Sequence, residues 1–223
     1  MFNLTFKGKL FTAPISKERL HRVLDIGTGT GIWAIDFADE YPGASVLGVD
    51  LSPIQPTFTP PNLAFQIDDL EEPWTFSEKF DFIYSRMMIG SIGSYPRLYQ
   101  QCFDNLAPGG WIEAADISFP IILNDGQYPE NSAFKKWYVC TISLSYLRST
   151  KQSRSDLFME GCEKLGRPAN SAEFYKSQIE AAGFVDVVET KYIWPINRWP
   201  KDKKLKELGT FYTLTRDTLL IPN

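Results

Sequence analysis

The chain has 223 residues, 43% hydrophobic and 22% charged, with a formal net charge of −4 and a pI near 5.2. Those figures suit one ordinary globular domain with a substantial core, and they leave no basic surface for nucleic-acid phosphates. Three cysteines, at 102, 140 and 162, show no paired spacing, and no apolar run approaches the ~18 residues of a membrane span. A disulfide scaffold, a metal site, secretion and membrane insertion are therefore not expected, and the setting is intracellular, cytoplasmic or nuclear.

At the N-terminus Phe2, Leu4 and Phe6 alternate with polar residues before a turn at Gly8, the pattern of a short hairpin or of an arm over a site mouth. His21, the only histidine, reads as a surface residue. Val23-Leu-Asp-Ile26 has the apolar character of a parallel strand covered on both faces. It runs into Gly27-Thr-Gly-Thr-Gly31, after which apolar residues at 32, 33, 35, 37 and 38 predict a helix over 30–40. Three absent side chains and the unpaired N–H groups of a helix start let a ligand approach the backbone here. The third glycine comes one residue too early for the Gly-x-Gly-x-x-Gly of dinucleotide sites. A second strand, 45–49, ends in Asp50, placed to accept hydrogen bonds from ribose hydroxyls. Together these residues describe a site for a nucleoside without pyrophosphate.

After Asp50, prolines 53, 56, 60 and 61 preclude a helix and predict an extended crossover to a third strand over 63–67. That strand leads into Asp68, Asp69, Leu70, Glu71 and Glu72, acids that either line the crevice at the carboxyl edge or cap the next turn. A fourth strand over 80–84 is followed by Ser85-Arg86-Met87-Met88. Ser94 and Pro96 open a helix whose buried face is expected to be Leu98, Cys102, Phe103 and Leu106. Pro108-Gly-Gly110 turns the chain into a fifth strand over 111–117.

Residues 118–170 then break the rhythm as an insertion of about fifty residues, with an aromatic helical stripe over 131–148 and a second helix near 155–165. Its aromatics either pack or line a hydrophobic substrate pocket. Asn170-x-x-Glu173 has capping-box spacing for a helix that stops at Gly183, and a sixth strand is expected over 185–194. A last helix runs from Lys201 to about Leu219, and its Lys201–Lys206 cluster reads as a solvated helix start.

Asp25-x-Gly27-x-Gly29-x-Gly31, with Asp50 ending the next strand, resembles motifs I and II of the class I S-adenosylmethionine-dependent methyltransferases. More narrowly, the Val23–Phe37 run, Asp50-Leu-Ser-Pro-Ile-Gln-Pro56 and Pro73-Trp74 resemble the LaeA-like fungal methyltransferases of secondary metabolism, over roughly 4–210. The resemblance implies an α/β, doubly wound, Rossmann-like sheet in one domain over 1–223, with 118–170 as a helical cap. It also implies residues before Met1 and a seventh, antiparallel strand between the fifth and sixth, for which nothing remains after Asn223.

The cofactor implied is S-adenosyl-L-methionine, held by Asp25, Gly27, Thr28, Gly29, Gly31, Asp50, Leu51, Asp68, Asp69, Leu70 and Arg86. Asp69 would bond the adenine amino group and Leu70 would flank the ring, while Arg86 meets an acidic group or pairs with a neighbouring carboxylate. The cofactor brings its own activated methyl group, so alignment of the acceptor suffices and no catalytic residue is assigned. Glu113, Asp116 and Tyr95 are the base candidates. The acceptor is a small-molecule metabolite, or the chain serves a regulatory role with a protein partner; neither nucleic acid nor membrane is expected. Two other readings stand beside this one: a non-catalytic interaction protein on the same fold, and a nicotinamide-dependent oxidoreductase sharing the strand–turn–helix and Asp50.

Overall fold

The computed structural model describes residues 1–118, 154–195 and 197–218. They fall into two compact units, one of Lys17–Val187 and one joining Met1–Ser16 to the chain from Val188 onward. The helices are α1 (Phe2–Thr5), α2 (Ile32–Glu40), α3 (Tyr95–Asn105), α4 (Arg154–Lys164), α5 (Tyr175–Ala181) and α6 (Lys203–Thr218). None of the described residues form a helix long and apolar enough to cross a membrane.

In the larger unit β1 (Arg22–Ile26), β2 (Ser45–Asp50), β3 (Leu63–Ile67), β4 (Phe80–Arg86) and β5 (Leu106–Ala115) build one sheet, ordered β3-β2-β1-β4-β5. Every pairing is parallel. The chain steps outward from β1 to β3 and then returns to the other side of β1. A crevice therefore opens at the carboxyl ends of β1 and β4, where strand order reverses.

The pleat of β1 decides the two faces. Val23 pairs in register with Phe82, and the Phe82 ring meets Trp33 and Phe37 of α2. Leu24, Ile26 and Ile83 face the opposite way, into a core shared with Leu98, Tyr99 and Cys102 of α3 and Tyr175 and Ile179 of α5. Helices on both faces make the sheet doubly wound, and its central strands are buried as their unbroken apolar runs require.

Several local elements differ from the sequence-based expectation. The N-terminus forms one turn of helix, not a hairpin. Phe2 and Phe6, four residues apart, reach the same side of that turn and meet Trp194 and Tyr192 at ring separations of 4.9 and 5.6 Å. The Trp194 Nε1–H also donates to Thr5 Oγ1 at 2.8 Å. Residues 185–194 form no strand: Val185 and Val188 are 82% and 83% exposed, and Asp186 sits at φ 56°, which interrupts an extended run. No strand pairs with the outer edge of β5 among the described residues, so nothing there offers 185–194 a ladder.

On α3, Phe103 turns outward and meets Phe184 at 5.2 Å, while Tyr95 and Tyr99 fill the buried face. Pro108–Gly110 does not precede β5 but lies inside it, as an irregularity that shifts the ladder between Phe80 and Phe82. Asn170 makes no side-chain capping bond, and the chain enters α5 through a 3-10 turn at Ser171–Phe174. The stripe over 131–148 lies outside the described residues.

The end of α4 is sharply defined. Arg167 N–H donates to Cys162 C=O at 2.8 Å and Gly166 N–H to Glu163 C=O at 2.9 Å, the paired bonds of a Schellman cap with Gly166 at φ 68°. No atom lies within 4 Å of a Cβ built on Gly166, so Gly166→Ala meets backbone strain without a clash. A loss of about 1–2 kcal/mol in urea unfolding is expected.

Candidate functional site

The glycine turn continues the β1–β2 ladder past the strand ends. Gly27 and Thr28 N–H both donate to Val49 C=O, at 2.9 and 3.0 Å. All three glycines have left-handed φ, 68°, 57° and 79°, but their missing side chains serve different neighbours. A Cβ on Gly27 would lie 2.0 Å from Met88 Sδ, and one on Gly31 would lie 2.3 Å from the Phe65 ring. Only Gly29 faces open space, with nothing within 4 Å. The three absent side chains thus leave different surroundings: side chains from the loop after β4 and from β3 fill the Cβ positions of Gly27 and Gly31, while that of Gly29 is open.

Two side chains fasten Gly29. Asp50 Oδ2 accepts its N–H at 2.8 Å, while Oδ1 accepts Ser52 N–H at 2.9 Å. The Gln55 side-chain amide donates to Gly29 C=O at 2.6 Å and to Ser52 C=O at 2.9 Å. Asp50 is therefore partly committed to the loop itself. An ionised carboxylate has about four lone-pair sites, so two remain for other donors. Leu51 follows it, exposed.

Asp25, on the sheet face that looks toward α2, is 3% exposed and accepts the Thr28 hydroxyl at 2.6 Å. Burial pushes its carboxyl up to about 7, partly offset by the Thr28 hydrogen bond and the nearby Arg86 charge. The sign of the consequence is fixed. Between pH 3.8 and about 7 the folded chain keeps a proton that the unfolded chain has released, so the Asp25 contribution to stability is full below 3.8 and is lost as pH rises through about 7. Asp25→Asn is expected to flatten that fall, read as the difference in thermal midpoint between variant and wild type across pH 4–8.

One register row crosses the sheet here: Gly48 of β2, Asp25 of β1, Tyr84 of β4 and Glu113 of β5. Tyr84 stacks on Trp33 at 4.0 Å, and burial raises its hydroxyl above the usual range while the Arg86 charge opposes that shift. Arg86, at the end of β4, thus stands beside Asp25 and Tyr84.

Beyond β3, Asp68 Oδ1 accepts Asp69 N–H and Asp69 Oδ1 accepts Glu71 N–H, both at 2.9 Å. Each acid thus gives one oxygen to its own turn. Leu70 is buried in the core, and its carbonyl accepts from Trp74 Nε1 and the Gln101 amide, each at 3.1 Å.

Two of the three base candidates, Asp116 and Tyr95, are engaged within the protein. Asp116 accepts Met88 N–H through Oδ2, Ile117 N–H through Oδ1 and the Tyr175 hydroxyl through Oδ2, all at 2.9 Å, and burial raises its carboxyl. The Tyr95 hydroxyl donates to Met88 C=O at 2.6 Å. Both residues hold the loop after β4, where Met87 has φ 59°. Sequence reasoning gave no role to Gln55, Met88 or Tyr175. The helical spacing of Tyr175 and Ile179 signals only a buried face, and Gln55 carries no signal that sets it apart from a solvated loop residue.

The sequence family described as Methyltransferase domain matches residues 1–189. The secondary metabolism regulator LAE1 of Cochliobolus heterostrophus is 38% identical over 218 residues, covering 96% of this chain and 66% of the relative. Methyltransferase pytC of Aspergillus terreus is 36% identical over 211 residues, 94% of this chain and 60% of the relative. The secondary metabolism regulator laeA of Aspergillus flavus is 37% identical over 196 residues, 86% and 48% respectively. The chain thus spans less than two thirds of each of these relatives. With a parallel sheet of the right order and a glycine turn at its switch point, the chain belongs to the methyltransferase-domain family.

Proposed function

We propose that the chain binds S-adenosyl-L-methionine at the carboxyl ends of β1, β2 and β4 and transfers its methyl group to a small-molecule acceptor of secondary metabolism, or serves a LaeA-like regulatory role. The observation that carries this reading is Gly29: a bare, left-handed residue opening onto space, with Asp50 held against it and two acceptor sites to spare. The residues present suit an adenine nucleoside. Asp50 would take the ribose hydroxyls, Asp69 the adenine amino group, and Leu70 one face of the ring. Asp68 and Leu51 border that end. Asp25, Thr28, Gly27, Gly31 and Arg86 would frame the amino-acid end.

When bound, the cofactor supplies an electrophilic methyl group on sulfur. This chain's part is to bind, align and keep water out, which requires no acid–base residue. Engagement of Asp116 and Tyr95 with Met88 agrees with that division of labour. The family match runs over 1–189 and so includes residues of both compact units, which supports reading that span as one working domain. Cysteines without paired spacing support an intracellular location, cytoplasmic or nuclear, and an acidic net charge supports a small-molecule or protein partner and not nucleic acid.

Calorimetric titration with S-adenosylhomocysteine tests the binding step, and methyl transfer from labelled cofactor to candidate metabolites tests the chemistry. Micromolar binding with turnover supports catalysis. Binding without turnover on any acceptor, together with co-purifying protein, supports the regulatory alternative. No heat at high protein concentration rejects both.

A further inference from the structure

Glu71 joins three segments that are remote in sequence. Its Oε1 accepts Gly93 N–H at 2.8 Å, from the loop after β4. Its Oε2 pairs with Arg167 Nη1 at 2.8 Å, and the same Arg167 nitrogen donates to Ser91 C=O. Arg167 does not hang from a loose tail. It is the residue that closes the Schellman cap of α4, its own N–H fixed on Cys162 C=O. The three strands of chain meet closely: a Cβ on Gly93 would lie 3.0 Å from Glu71 Oε1 and 3.4 Å from Gly166 C=O.

Each partner leads on to a different wall of the candidate site. The Glu71 N–H is the donor that orients the Asp69 carboxylate, at 2.9 Å. Ser91 and Gly93 belong to the loop whose Met88 side chain lies against Gly27. A guanidinium on a rigid helix cap therefore fixes the side chain of Glu71, and with it the relative position of the acidic turn after β3 and the loop after β4. The ion pair is partly shielded, with side-chain exposures of 38% and 27%.

We propose that Arg167 and Glu71 form a clamp that sets cofactor affinity from the end of α4, Arg167 acting as a positioning residue for Asp69 and the loop after β4. This rests on the cofactor reading given under Proposed function and extends it to a residue outside the pocket. It also ties the helix at the end of the segment following β5 to the cofactor side of the site.

The test is a double-mutant cycle on the full chain, with S-adenosylhomocysteine binding by calorimetry and folding followed by circular dichroism. Arg167→Ala and Glu71→Gln are each expected to weaken binding about tenfold, and the double variant no more than about tenfold in total, because both remove the same clamp. Arg167→Lys, which keeps a cation at the cap, is expected to recover affinity to within about threefold of wild type. Lowered melting temperatures with unchanged affinity would mean that the pair only staples α4, and would overturn the proposal. Additive losses, near a hundredfold in the double variant, would overturn it as well. Should Arg167→Ala fail to fold, the nearly isosteric Glu71→Gln decides by the same affinity criterion. A wild-type chain that does not bind the nucleoside overturns the underlying reading, a result distinct from tight binding shared equally by wild type and variants.

Discussion

Asp50→Ala is expected to weaken S-adenosylhomocysteine binding by at least ~100-fold and to cost about 1–3 kcal/mol of stability. Two separate losses combine. Hydrogen bonds to a charged acceptor contribute about 1.5–3 kcal/mol each, and the two ribose hydroxyls would lose theirs together. Gly29 and Ser52 also lose the acceptor for their N–H groups, and an N–H stranded in a half-buried turn carries its own desolvation cost. Asp50→Asn separates the two effects, since the amide oxygen still receives the Gly29 N–H while the negative charge is gone. Calorimetry and urea unfolding on the three proteins give both quantities, and Ala binding within about threefold of wild type would remove Asp50 from the site.

Two glycines of the turn, Gly27 and Gly29, should respond differently to the same substitution. Gly27→Ala and Gly29→Ala share the strain of a left-handed residue, about 1–2 kcal/mol. Gly27→Ala must in addition move the Met88 thioether, 2.0 Å from the new Cβ and packed among Leu24, Ile26 and Leu70. Overpacking of that kind costs about 1–3 kcal/mol more. Gly27→Ala is therefore expected to lose about 2–5 kcal/mol of stability in total. Gly29→Ala meets no protein atom, so its stability should fall by the strain alone. Its methyl group occupies the space assigned to the ligand, and affinity is expected to drop by at least ~100-fold, equivalent to about 2.7 kcal/mol. Equal stability losses for the two variants, or a Gly29→Ala protein that binds like wild type, would show that the turn is shaped only by packing.

The central sheet was legible because burial on both faces imposes apolar runs that few other structures share. Val23, Leu24, Phe82 and Ile83 read as buried strands and are so. Elements at the margin were harder to read. Val185–Val188 has the composition of a strand, but a strand exists only with a neighbour, and composition does not supply one. Phe2 and Phe6 fit a period of two as well as a separation of four, and long-range contacts with Trp194 and Tyr192 settle the matter.

At the site, the pattern of glycines was visible but their separate causes were not. The distinction between Gly27, filled by Met88, and Gly29, left open, depends on side chains sixty residues apart in sequence. The roles of Glu71 and Arg167 were hidden for the same reason, since an acid after Leu70 and a cation after a helix-ending glycine each look like ordinary solvated residues. Membership in the methyltransferase family removes the oxidoreductase alternative, which rested on the strand–turn–helix and Asp50 alone.

The most direct measurement is a structure of the chain with S-adenosylhomocysteine bound. The expected result has the ribose hydroxyls on Asp50, the adenine between Leu70 and the Asp69 carboxylate, and the amino-acid tail passing over Gly29 toward Asp25 and Arg86. A nucleoside seated elsewhere, with the space at Gly29 empty and Asp50 still bonded only to Gly29 and Ser52, would contradict it.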